Sequence, residues 1–365
     1  MENTRNKILV ISATGFLIVM TLLCLFHGNS DYSMTERRYL KQFPAFTWDS
    51  VMNGRFMTDF EGYSQDQFPG RDAFRGIKSG VSFYVFGQKD NNDLYIADGY
   101  IGKLEYPYRE ESVNHAVKVF QSIYDKYLAD SDCKTYYAII PDKGYFLAKE
   151  NGYLAMDYET MVSDMQAGMP NMTYIDLFEV MELKDYYRTD THWRQEEITD
   201  VAEYVALSMG KDFTPEFEIY QLEDPFYGVY HGQLALPMQG ETLYYLKNDT
   251  LEDCYVYDYT EMQEINIYDM EKARGADPYE MYLSGSLSLI NIENPNADSD
   301  DELIVFRDSF GSSIAPLWVE GYKKITLIDI RYLYSGMLGN YIDFENQDVL
   351  FLYSTLVLNH SETLK

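Results

Sequence analysis

Cysteine is scarce in this chain: three residues in 365, Cys24, Cys133 and Cys254. So few exclude a disulfide-built scaffold, and their spacing matches no zinc-ligand pattern. Cys24 lies in an apolar run, which leaves at most one bridge, Cys133–Cys254. Histidine is scarce too. His27, His115, His192, His231 and His360 form no H-x-H or H-E-x-x-H spacing, so no metal site is expected. There is no P-loop, and no G-x-G-x-x-G follows a strand, so no nucleotide cofactor is expected either. Basic residues are few, 29 Lys+Arg against 59 Asp+Glu, for a formal charge of −30. Such a surface repels phosphate backbones, which argues against nucleic acid as a partner. Repeats and low-complexity tracts are absent. With 46% hydrophobic and 24% charged residues, the composition is that of a globular protein and excludes a disordered or collagen-like chain.

What is present begins with one long apolar run. Residues 8–26 carry no charge and are close to the ~20 residues that cross a bilayer as a helix. Arg5 and Lys7 precede it, so the short amino terminus is expected in the cytoplasm and everything after His27 outside. A cleaved signal peptide is the rival reading. Its apolar region is usually shorter, and Leu25-Phe26-His27-Gly28-Asn29 has no A-x-A cleavage pattern. The expectation is therefore an uncleaved signal anchor in the cell membrane, with a single-pass, extracytoplasmic carboxy-terminal domain.

Residues 1–27 thus form the cytoplasmic tip and anchor. Residues 28–105 read as a tether and helical lead-in, in which Pro69-Gly70 breaks two short aromatic helices. A hairpin or turn is expected at 95–101. From residue 106 to 365 the pattern becomes α/β. Val113, Ala116, Val117, Phe120, Ile123, Tyr124 and Tyr127 recur mainly at three- and four-residue steps, as in an amphipathic helix. Strands are expected at 134–140, 172–177, 303–306, 324–328 and 349–353, with helices at 195–209 and from Ser312 onward despite Pro316. Alternation of this kind predicts βαβ units and a parallel sheet flanked by helices. Residues 216–267, rich in Tyr, Leu and Val with Gly-bearing turns, read as a β-rich insertion.

Two segments carry candidate chemistry. In Tyr187-Arg188-Thr189-Asp190-Thr191-His192-Trp193-Arg194, Asp190 and His192 are two apart, so an extended loop would point both side chains the same way. A carboxylate beside an imidazole fixes its tautomer and stabilises the imidazolium, as a general base requires. Helix capping by Asp190 or Thr191 is the structural alternative. In 303–313 an apolar strand runs through Arg307-Asp308-Ser309 into a helix, placing Ser309 where strand ends face the crevice of an open α/β sheet. Capping by Asp308 and Ser309 is again the alternative.

Together, Asp190-Thr191-His192-Trp193 followed by Asp308-Ser309-Phe310 resembles the DHHW proteins and the alginate O-acetyltransferase (AlgJ/AlgX-type) members of the SGNH-hydrolase superfamily. Gln67-Phe68-Pro69-Gly70-Arg71, the strand and loop from Lys134 to Lys143, and Thr326-Leu327-Ile328-Asp329-Ile330-Arg331-Tyr332 fit the same pattern, which spans roughly residues 33–359. The resemblance implies an SGNH-hydrolase-like (flavodoxin-like) sheet and a triad in permuted order, with Asp190 the orienter, His192 the base and Ser309 the nucleophile. It also implies acetyl transfer to, or removal from, a hydroxyl of an exported polysaccharide, with a membrane-bound O-acyltransferase supplying the acetyl groups. A non-catalytic polysaccharide-binding or assembly subunit of the same machinery is the alternative. Two departures stand out: Thr191 occupies a position where the DHHW name implies His, and Arg307 stands where SGNH enzymes usually have Gly. The superfamily's oxyanion Asn has no clear counterpart, Ser284-Gly285 and Asn359 being the nearest candidates.

Charge adds one expectation that needs no family. Lys143, Arg188, Arg194, Arg307 and Arg331 all lie in or beside these motifs of an otherwise acidic chain. If the motifs converge, they would line a positive cleft that receives an anionic group or polarises an acyl carbonyl. Trp193, beside His192, is the best-placed ring for stacking on a sugar.

Overall fold

The computed structural model describes residues 2–365, and the chain divides into two compact units. The first comprises residues 1–91 and 232–238. It opens with helix α1 (Glu2–Phe26), within which Thr4–Phe26 is apolar and long enough to cross a membrane. The expected tether is instead folded into a small antiparallel ribbon, Tyr32–Ser33 with Arg38–Tyr39. Helices α2 (Arg55–Asp66) and α3 (Arg71–Gly80) follow, separated at Pro69-Gly70 as the sequence predicts. Gly70 supplies the left-handed residue (φ 70°) that turns the chain into α3.

The second unit, residues 92–231 and 239–365, holds an eight-stranded sheet. In chain order its strands are β1 (Lys134–Ile140), β2 (Thr173–Ile175), β3 (Tyr255–Asp258), β4 (Gln263–Ile265), β5 (Leu289–Glu293), β6 (Glu302–Arg307), β7 (Lys324–Ile328) and β8 (Asp348–Ser354). Their spatial order is β4-β3-β5-β7-β6-β8-β1-β2. The five strands from β7 to β2 run parallel, while β5, β3 and β4 add on antiparallel. The sheet is therefore mostly, not wholly, parallel. Part of the expected insertion, β3 and β4, belongs to this sheet; another part, Glu218–Gln221 with Tyr244–Lys247, forms a separate ribbon.

Alternation along the strands feeds a core on each face. On β6, Leu303 and Val305 join one cluster with Val201, Ala202 and Val205 of the helix Thr199–Ser208 and with Trp318. Ile304 and Phe306 join the other, with Phe120, Met161 and Met165. The helices supplying these residues are α4 (Glu110–Ile123), α5 (Tyr158–Gly168) and α6 (Thr199–Ser208). Each fully buried apolar side chain of this kind contributes roughly 1.5–3 kcal/mol. The hairpin Leu94–Ala97/Tyr100–Lys103 packs Tyr95 and Ala97 on Leu147 and Ala148, so it belongs with this unit rather than with the lead-in. Its Asp98-Gly99 turn has positive φ at both residues, which suits a two-residue hairpin. After Ser309 the chain forms the short helix α7 (Gly311–Ile314) and then a 3-10 turn from Ala315, where Pro316 cannot continue an α-helical ladder. Cys133 and Cys254 are both free thiols.

Candidate active site

Ser309 lies two residues past the end of β6, a central parallel strand, and so at the carboxyl end of the sheet where ligands of such folds bind. Asp308 fixes this turn. One of its carboxylate oxygens accepts from the Phe310 N–H (3.0 Å) and the other from the Ser354 N–H at the end of β8 (2.9 Å). The Asp190 loop is closed at its base by the bridge between Tyr186 and Trp193 and by the Tyr187 N–H donating to the His192 carbonyl (3.1 Å). The two segments, 117 positions apart, meet: Ser309 Oγ is 2.8 Å from His192 Nε2. His192 Nδ1 is 2.6 Å from Asp190 Oδ1.

Asp190 and His192 do not meet by extended-strand geometry. The loop is a run of bends, and Asp190 Oδ1 accepts from the backbone N–H of His192 (3.0 Å) as well as from its ring. The other oxygen, Oδ2, accepts from the Val229 N–H (2.7 Å). Asp190 is fully buried, whereas Ser309 and His192 are partly exposed. The order is that of an orienting carboxylate, a ring that can take a proton, and a hydroxyl open to solvent.

The imidazole is clamped by Phe310 of the second motif and by Tyr279, which no sequence motif flags. Tyr279 stacks on it, with ring centroids 4.0 Å apart and planes 10° from parallel, and Phe310 lies at 5.0 Å. The Tyr279 hydroxyl is 2.7 Å from Ser313 Oγ, which also accepts from Trp193 Nε1 (2.7 Å). Glu241, from the insertion, accepts from the N–H groups of Arg188 and Thr189 (both 2.7 Å) and from the Thr189 hydroxyl (2.6 Å). Gly228 packs against the same loop so closely that a Cβ there would collide with the Thr189 carbonyl oxygen and with Cα and Cβ of Asp190. Gly228→Ala is therefore expected to cost about 1–3 kcal/mol and to lower turnover by displacing Asp190. Denaturant unfolding and turnover, measured on the same preparation, check both.

Three of the residues expected to touch substrate are buried, which removes that role from them. Trp193 is wholly enclosed in the core, so it offers no sugar platform. Arg307 is also fully buried. Its guanidinium donates to the carbonyls of Gly285 (3.3 Å) and Leu287 (3.2 Å) and lies 3.8 Å from Asp329. Gly311 lies against the Arg307 stem, 2.6 Å from its Cβ where a Cβ would stand. Lys143 is the third. The remaining cations are paired: Arg331 with Asp329 through two bonds (2.9 and 2.6 Å), Arg194 with Glu196 (2.7 Å), and the more exposed Arg188 with Glu241 (3.7 Å). The expected open positive cleft is thus not formed: Lys143 and Arg307 are enclosed, Arg194 and Arg331 are paired with carboxylates, and of the five only Arg188 keeps an exposed side chain, beside Glu241. Asn359 is likewise engaged elsewhere: it accepts from the Arg109 N–H (2.8 Å) and donates to Glu105 and the Pro107 carbonyl. Gly285 is adjacent to Arg307 and Ser312 through its carbonyl.

Lys143 acts on the site through backbone. Its Nζ donates to the carbonyls of Tyr187 (2.9 Å) and Arg188 (3.2 Å), at the start of the Asp190 loop, and sits 5.1 Å from the Tyr230 ring. Burial pushes its ammonium down to about 7, against the opposing pull of Asp190, Glu241 and Asp142. A lysine ordinarily titrates near 10.4, so from about pH 7 upward toward that value the unfolded chain holds a proton that the folded chain does not. Folding stability from this group therefore rises with pH across that window and is smallest below it. Lys143→Met should lose this slope and, by stranding a buried carbonyl, about 1–3 kcal/mol. Unfolding midpoints at pH 7 and pH 9.5, compared between the two proteins, check the sign.

No family model matches the sequence, and no curated protein matches it. Solved structures do. A DHHW family protein from Eubacterium siraeum is 19% identical, with a TM-score of 0.58, and the match covers 75% of this chain and 95% of that one. Bacillus cereus PatB1 is also 19% identical, with a TM-score of 0.59, over 73% of this chain and 97% of its own. A second PatB1 structure, at 18% identity and a TM-score of 0.58, carries a sulfonyl adduct. With its mostly parallel sheet and the Asp-Ser turn at the end of a central strand, the chain shares its fold with the DHHW family protein and PatB1.

Proposed function

We propose that this is a membrane-anchored, extracytoplasmic SGNH-like acyltransferase that uses Ser309, His192 and Asp190 to move acetyl groups on a cell-surface or secreted polysaccharide. The observation that carries the reading is the unbroken chain Ser309 Oγ–His192 Nε2 (2.8 Å), His192 Nδ1–Asp190 Oδ1 (2.6 Å), ending at a partly exposed serine. In the cycle, His192 Nε2 takes the Ser309 proton as Oγ attacks the carbonyl carbon of an acetyl ester. The tetrahedral intermediate collapses, the ester C–O bond breaks, and His192 returns the proton to the leaving oxygen. A sugar hydroxyl then gives its proton to His192, attacks the acetyl-serine and restores the Ser309 hydroxyl. With water as acceptor, the same steps release acetate. The sulfonyl adduct on PatB1 supports the reading by analogy of fold, since sulfonylating reagents mark activated nucleophiles.

The apolar helix Thr4–Phe26 supports a single-pass anchor with the catalytic unit outside the cell. There, a membrane-bound O-acyltransferase would supply the acetyl groups. The test is to incubate the full-length protein in detergent with a chromogenic acetyl ester and a defined oligosaccharide, following both dye release and the mass of the sugar. Acetylated sugar is expected. Acetate alone would make the protein an esterase, and neither product, together with retained glycan binding, would make it a binding subunit.

A further inference from the structure

Helix α2 is unusual in having no buried residue, and the same holds for the short helix Trp48–Met52 before it. Yet their aromatic side chains converge. Phe43 meets Phe56 (6.4 Å between centroids), Phe60 (5.9 Å) and Tyr63 (5.3 Å), and Phe46 meets Trp48 and Phe56 (both 5.7 Å). Trp48 is 75% exposed, Phe46 61% and Phe43 58%. A contiguous aromatic surface of this kind on a folded unit marks a contact with something apolar.

The position of this surface says what. The Ser30 N–H donates to Gln67 Oε1 (2.9 Å), Gln67 Nε2 donates back to the Ser30 carbonyl (2.9 Å), and the Tyr63 hydroxyl donates to Asn29 (3.0 Å). The end of α2 is therefore tied to residues just beyond Phe26, where the apolar helix ends. Four residues of chain reach at most about 14 Å, and the polar interface of a bilayer is about 5–8 Å deep on each side. Asp66, in the last turn of α2, takes two bonds from Arg38 (2.9 and 2.6 Å), which hold its carboxyl down to about 2 and neutralise the charge nearest the tie to Ser30. A helix that turns an aromatic side outward beside a membrane anchor suits the interface, and Trp and Tyr concentrate at the headgroup level of membranes.

We infer that the face formed by Phe43, Phe46, Trp48, Phe56 and Phe60 rests in the lipid headgroup–acyl boundary beside the anchor. It serves as a second membrane contact that fixes the lead-in against the bilayer. This rests on the membrane-anchor reading of α1. The protein carries three tryptophans, of which Trp193 and Trp318 are fully buried, so Trp48 is the exposed reporter. The full-length chain and Trp48→Phe are reconstituted into phosphatidylcholine vesicles with plain or brominated acyl chains. The emission that Trp48 contributes, taken as the difference between the two proteins, is expected to fall severalfold in the brominated vesicles. Equal emission in both would overturn the inference and leave the face to a protein partner or a second copy. Flotation after an alkaline wash reports the anchor separately. A chain that washes off overturns the anchor, and the interfacial face with it.

Discussion

Ser309→Ala is expected to abolish covalent acyl-enzyme formation and to lower turnover by about 10⁴-fold or more, while leaving the fold intact. The expectation follows from the position of the hydroxyl. Ser309 Oγ bonds the imidazole on one side and is partly open to solvent on the other, so its removal takes away the attacking atom and little packing. The residue is not what holds its own turn, because Asp308 does that through the N–H groups of Phe310 and Ser354. Stability should therefore change by no more than about 0.5–1.5 kcal/mol, the net worth of one hydrogen bond. Intact-protein mass after mixing with an acetyl ester separates the two effects. Wild type should gain one acetyl group and the variant none, with superimposable unfolding curves.

Asp190→Asn should lower turnover nearly as far, about 10⁴-fold, for a different reason. Asp190 Oδ1 accepts from the His192 ring and the His192 N–H, and Oδ2 accepts from the Val229 N–H. An asparagine replaces one acceptor with a donor. If its NH₂ faces Val229, two buried N–H groups oppose each other. If it faces His192, the imidazole must place its proton on Nε2, the nitrogen that has to receive the Ser309 proton. Either way the ring loses the negative charge that stabilises its protonated form. Unlike Ser309→Ala, this change is also expected to destabilise the protein, by about 1–3 kcal/mol, because Asp190 is fully buried. Turnover read beside denaturant unfolding distinguishes a tautomer effect on a folded enzyme from simple loss of fold.

The contrast between the two variants also shows which parts of the site are legible in the sequence. The pair Asp190-x-His192 and the Asp308-Ser309 turn stand out as short runs of chemically capable residues beside recognisable elements. The strand that leads to Ser309, Glu302–Arg307, holds the apolar run Leu303-Ile304-Val305-Phe306. The supports are different. Tyr279, Ser313, Gly228 and Glu241 come from four separate segments, and each becomes informative only when the fold brings it to the His192 loop. Gly228 and Ser313 have no local signature, since what they do is set by a neighbour many positions away.

Charge misleads in the same way. A lysine or arginine in a sequence is expected at the surface, yet Lys143 and Arg307 are buried here. Backbone carbonyls receive their donors, and Asp329 lies 3.8 Å from the Arg307 guanidinium. Both end up holding loops rather than facing substrate. The strand Leu289–Glu293 is absent from the expected set. Leu289–Glu293 places Asn291 at its centre, and Asn291 is paired with Thr326 on β7, so a polar residue that looks like a loop signal is satisfied inside the sheet.

The central claim, that Ser309 is an activated nucleophile, is tested most directly by labelling the full-length protein in detergent with a fluorophosphonate probe, beside Ser309→Ala and His192→Ala. Wild type should be labelled at Ser309, and both variants should stay unlabelled. Failure of wild type to label, or labelling of Ser309→Ala to the wild-type extent, would contradict it.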